Sequence, residues 1–148
     1  MSESEFRTLQ LWQGHRPPPK VSRLGLEKKM TETIIWRESP FGPCVTDCGG
    51  VLMYGILVES GHASYDFDFV IQDADLQVLK TDPARADALY WSLTTCLQKQ
   101  KNDFTQDQMN ILLHDTLHSS AADFELFLDR FSAAHHIALR VYIERSTR

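Results

Sequence analysis

A chain of 148 residues, 43% apolar and 24% charged, has room for one domain with a real core and too little for two. Its longest apolar run, residues 51 to 58 with Gly55 inside it, is far short of the roughly 20 residues that a membrane-spanning helix needs. The formal charge of −5 is unevenly spread. Six of the 15 basic residues but only three of the 20 acidic ones fall in residues 1–29, which leaves residues 30–148 at a formal −8. Such a body repels a phosphate backbone, which excludes a nucleic-acid binder, and draws in a cationic partner.

The first segment, residues 1–29, has no sustained hydrophobic period, and Pro17, Pro18 and Pro19 forbid a regular helix or central strand there. It reads as a loose arm in which Leu9, Leu11 and Trp12 are the residues able to dock. Glu27-Lys28-Lys29-Met30 is also what a purine-rich ribosome-binding site before a start codon would encode, so Met30 is an expected alternative start. The arm holds no apolar signal segment, and three cysteines, Cys44, Cys48 and Cys96, cannot all pair within one chain. A cytoplasmic protein with reduced thiols is the expectation.

From Met30 onward the chain is read as one α+β domain, residues 30–148. "TETIIWRES" is rich in β-formers and ends at Pro40, which predicts a strand, and "FGPCVTDCGG" reads as turn material. "VLMYGILVE" is apolar nearly throughout, as a central strand covered on both faces would be. "SGHAS" predicts a loop of about five residues, and in the strand beyond it Tyr65, Phe67, Phe69 and Ile71 alternate with Asp66 and Asp68. Asp73 is placed to cap a short helix over 74–80.

Three further helices have well-marked starts. Asp82-Pro83 is an N-cap followed by proline at the first helical position, ahead of an apolar stripe of Ala86, Leu89, Tyr90, Leu93 and Leu97. Thr105 and Gln108 form a capping box, with Phe104 and Met109 as its hydrophobic staple. The last helix starts after Ser119 or Ser120, with Asp123 near its positive end, and His135-His136 stands at its close. Ile137, Leu139, Val141 and Ile143 then alternate with Ala138, Arg140, Tyr142 and Glu144, which predicts a half-buried C-terminal strand. The expected fold is an antiparallel sheet, built from the N-terminal hairpin region and this C-terminal strand, packed against about three helices.

Catalytic chemistry is hard to find. Cys44-x-x-x-Cys48 and His114-x-x-x-His118 together have the donor types of a tetrahedral zinc site, but Asp115 stands where a metallohydrolase helix would carry glutamate. Cys48 before Gly49-Gly50 has the elements of a thiol nucleophile beside backbone donors, without a Cys-x-x-Cys redox pair or a phosphate-loop lysine. A small metal- or thiol-dependent enzyme is therefore the alternative reading, and no catalytic residue and no cofactor are expected. What stands out is acidic clustering. Glu59, Asp66, Asp68, Asp73 and Asp75 belong to one hairpin and the turn after it, and like charges that close repel unless something cationic arrives.

The strand, the acidic turn, "LKTDPARADALYW" and the later short helices, in a small acidic body without an active-site signature, resemble the immunity proteins of bacterial polymorphic toxin systems, including contact-dependent inhibition systems. The resemblance covers residues 30–148, and the amino-terminal arm departs from the pattern. It implies a cytoplasmic protein that binds and blocks one cognate toxin domain, often a nuclease with a basic site. It implies a protein partner rather than a nucleic acid or a membrane. The toxin-binding candidates are Glu59, Asp66, Asp68, Asp73 and Asp75, with Tyr65, Tyr142 and Trp91 as aromatic anchors. A phage or plasmid accessory protein that masks a host protein by the same surface is a further alternative.

Overall fold

A computed structural model describes residues 32–40 and 42–146. The amino-terminal arm, with Leu9, Leu11 and Trp12, and the alternative start at Met30 lie outside the described residues. The remainder is α+β: four antiparallel strands in sequence order, β1 (Glu32–Arg37), β2 (Cys44–Cys48), β3 (Val51–Ser60) and β4 (Ala63–Ile71), followed by a helical layer.

The turns between strands are tighter than the sequence predicts. Cys48 pairs with Val51 across Gly49-Gly50, whose φ values of 66° and 94° are left-handed, and the Asp47 carboxylate accepts the Gly50 N–H at 2.7 Å. Ser60 pairs with Ala63, so the β3–β4 loop is Gly61-His62 rather than about five residues, with Gly61 at φ 65°. The "FGPCVTDCGG" segment is not all turn. Its Gly and Pro only flank β2, in which Val45 and Thr46 are buried and every residue pairs with β3. Between Ile34 and Trp36 the β1–β2 register shifts, which turns Trp36 onto the face of Val45.

One face of the sheet is the core. Val45, Tyr54, Ile56, Val58, Phe69 and Ile71 are buried on it, with Trp36 and Phe67 partly covered. The opposite face carries Ile34, Val51, Met53, Leu57, Val70, Asp66 and Asp68 by the same pairing. It is not covered as the continuous apolar run of β3 predicts: Val51 and Leu57 are 45% and 48% exposed.

The helices are α1 (Asp73–Thr81), α2 (Pro83–Gln100), α3 (Gln106–Leu113), α4 (Ala121–His135) and α5 (Leu139–Ser146), five among the described residues. Asp82 caps α2 by accepting the Arg85 N–H, and Ser120 caps α4. Thr105 and Gln108 close the capping box of α3, beside a buried Phe104 and Met109. At α1 the cap is Gln72, one residue earlier than Asp73, and its partner is Asp75. His136, at φ 57°, ends α4 by donating its N–H to the Ser132 carbonyl.

The C-terminal strand is a correction. Residues 139–146 form α5, and among the described residues no strand follows β4. Leu139 and Ile143, one helical turn apart, are buried, while Val141 is 42% exposed. Tyr142 stacks on Trp91 of α2 with ring centroids 4.8 Å apart, and Arg140 reaches Asp129 of α4 at 3.1 Å and pairs with Glu125. These contacts use a helical face, which an alternating strand could not present.

Candidate binding surface

The strand register sorts the acidic residues. Glu59, Asp66 and Asp68 are exposed on the open face of the β3–β4 hairpin, Asp66 opposite Leu57 and Asp68 opposite Gly55. Glycine fits at 55 because a Cβ there would come within 2.9 Å of the Asp68 carboxylate. On the same face Leu57 and Val70 beside them are 48% and 38% exposed, and Ile34 and Val51, farther from the β3–β4 turn, are 52% and 45% exposed. Tyr65 is on the other face, partly exposed, with its ring 6.4 Å from Phe67.

The other two carboxylates leave this patch. Asp73 is exposed in the first turn of α1. Asp75 is buried; one carboxylate oxygen accepts the Gln72 N–H at 2.8 Å and the other lies 2.5 Å from His118 Nε2. Asp75 is therefore a structural cap, not an exposed partner contact. Tyr142 and Trp91 are likewise engaged, stacked on each other between α5 and α2.

His114 and His118 bound a π-helical turn, His114–His118, that follows α3. Such a turn leaves carbonyls out of the usual ladder, and Arg85 donates to Thr116 O within it at 3.0 Å and to Ser119 O just beyond it at 2.8 Å. Its guanidinium also lies 4.5 Å from the Phe124 ring centroid. Gln72, Asp75, Asn110, Leu113, His114 and His118 line a shallow cleft of about 280 Å³.

The zinc-type donor set does not assemble. Cys44 and Cys48, on β2, share the open face of the sheet with their β3 partners Gly55 and Val51, whereas the two histidines belong to the helical layer. Among the described residues no three His, Cys, Asp or Glu side chains converge as a metal site. Cys48 has Thr46 Oγ1 at 3.5 Å, and the Gly50 N–H is taken by Asp47, so that loop offers one fewer backbone donor to an anion.

Two features escaped the sequence reading. Asp87, within α2, is 3% exposed; burial first, and then a hydrogen bond to the Glu38 carboxyl, push its pKa up to about 7. The neighbouring Tyr54 hydroxyl is fully buried without a partner among the described residues, and burial and the Glu38 charge push it up too. An aspartate between Ala86 and Ala88, beside the apolar stripe of α2, was the available signal. The second is Gln106, whose amide pairs with the backbone of Val70: it accepts the N–H at 3.0 Å and donates to the carbonyl at 2.9 Å. Nothing in its sequence neighbourhood marks that role.

No helix among the described residues is long and apolar enough to cross a membrane. No protein-family model, curated protein or solved structure matches the chain.

Proposed function

We propose that this chain is a cytoplasmic binding protein that captures and blocks a cationic toxin domain, as an immunity protein does. The observation that carries the reading is the open sheet face. Exposed Leu57 lies opposite Asp66, and exposed Val70 is two positions from Asp68, with Glu59 near the β3–β4 turn; Ile34 and Val51 continue the exposed apolar field away from that turn, so the acidic rim is on its hairpin side. Apolar contact supplies affinity once water is excluded, while the acidic rim raises the encounter rate and rejects acidic partners. A basic nuclease cleft, which normally holds phosphates, fits this charge pattern. Asp75 takes no part, because it is buried and bonded inside the domain, while Trp91 and Tyr142 are half-buried and stacked on each other away from this face.

A toxin gene is expected immediately upstream of this one, and the test is coexpression with the domain encoded there, followed by association and dissociation kinetics at two salt concentrations. Wild-type chain should protect the cells. Joint replacement of Glu59→Gln, Asp66→Asn and Asp68→Asn should slow association by about tenfold or more at low salt and flatten its salt dependence, because exposed charges are screened over about 8 Å at physiological ionic strength. Binding with unchanged rates and unchanged salt dependence, or no binding to that domain, defeats the reading.

A further inference from the structure

Gln106 shows how the edge of the sheet is finished. Its side-chain amide, steadied by donation to Asn110 Oδ1 at 2.9 Å, gives Val70 the N–H acceptor and the carbonyl donor that a neighbouring strand would give. Those groups of Val70 therefore point away from β3. In a strand, backbone groups two residues apart point the same way. Ser64, Asp66 and Asp68 thus aim their N–H and C=O groups toward the same outer side. β4 is the last strand of the sheet, and no described backbone pairs with Ser64 or Asp66 on that side.

We propose that this outer edge of β4 accepts one antiparallel strand from a partner protein, with cationic side chains alternating with apolar ones. The inference rests on the acidic-surface reading and names the element that would dock. Two copies of this chain are poor partners for each other, because antiparallel pairing of two β4 edges centred on Asp66 sets carboxylates directly opposite one another. A cationic strand meets no such barrier. Its Lys or Arg would lie on the open face beside Asp66, and its intervening residues would extend the apolar strip of Tyr65 and Phe67 on the other face. Gln106 ends the groove, so pairing stops before Val70 and the added strand is short.

Antiparallel geometry makes a distinguishing test. The residue opposite Asp66 exchanges both backbone hydrogen bonds with it and carries its side chain on the same face. In a short end-blocked peptide of alternating lysine and valine, the lysine N–H groups would face β4 and the valine N–H groups would face solvent. Titrated into the full chain, this peptide should bind and slow hydrogen exchange at the Ser64 and Asp66 amides. N-methylation at the lysines should weaken binding by about tenfold or more, and N-methylation at the valines by less than about twofold. If both methylated peptides bind as well as the parent, and Asp66→Asn abolishes all three, strand addition is wrong while the acidic-surface reading stands. A parent peptide that does not bind, tested beside a toxin domain that does, likewise overturns strand addition alone.

Discussion

His118 Nε2 lies 2.5 Å from Asp75 Oδ1, joining a π-helical turn to the first turn of α1 across 43 positions of sequence. The same carboxylate satisfies the Gln72 N–H through its second oxygen. One buried side chain thus closes a helix cap and anchors a rare backbone turn. The π turn is further fixed by Arg85, which donates to the Thr116 carbonyl and to that of Ser119 just after the turn, and by the Thr116 hydroxyl, which donates to Leu112 O at 2.8 Å.

Replacing Asp75 by Ala removes both interactions. A lost cap costs about 0.5–2 kcal/mol, and a lost charged hydrogen bond about 1.5–3 kcal/mol, so destabilisation of about 2–5 kcal/mol is expected. His118→Ala removes only the second interaction and should cost less. Chemical denaturation of both single variants and of the double variant should show coupling between the two positions, since contacting residues do not add. Strictly additive losses would mean the pair contributes nothing as a pair.

The tertiary role of α5 gives a second test. Leu139 is fully buried against α2, whereas Val141 points into solvent. Leu139→Ala should destabilise by about 2–5 kcal/mol, and Val141→Ala by less than about 0.5 kcal/mol. In a half-buried strand the two positions would share a face and cost similar amounts. Comparable losses at 139 and 141 would therefore restore the strand and reject the helix.

How legible these elements were depended on the range of the forces that set them. Asp82-Pro83, Thr105 with Gln108, and Ser120 act within one turn of chain, and each caps the helix that the sequence predicts. Residues 139–143 were not decidable locally. Leu139 and Ile143 satisfy both the two-residue period and the helical spacing, and the contacts that accompany the helix are tertiary: Trp91, far away in sequence, and Glu125 and Asp129 on the preceding helix. β2 was hidden by the Gly and Pro that bound it. For the acidic residues, alternation placed Asp66 and Asp68 correctly on one exposed face. Asp75 was misassigned because glutamine is not the usual N-cap, so the Gln72–Asp75 box carried no familiar signature. Glu38 and Asp87 meet only through tertiary folding, and no spacing rule connects them.

That carboxyl pair carries the third prediction. Asp87 titrates at about 7 in the folded protein against 3.8 for an ordinary aspartate, because burial and the Glu38 carboxyl both oppose its ionisation. Below the ordinary value both folded and unfolded chains hold the proton, and Asp87 contributes no pH dependence. Between the two values the unfolded chain has released the proton that the folded chain keeps, so stability falls as pH rises, by up to about 1.4 kcal/mol per unit. Above about 7 the penalty is complete and the slope ends. Asp87→Asn cannot ionise and should lose this component. The measurement is the difference in unfolding free energy between Asp87→Asn and wild type from pH 4.5 to pH 8, which cancels the other titrating groups. That difference should grow in favour of the variant with rising pH and level off above about 7, and Glu38→Gln should shift the levelling point lower. A difference that stays flat across the range would show that Asp87 ionises freely in the folded chain and that the Glu38 contact does not hold its proton.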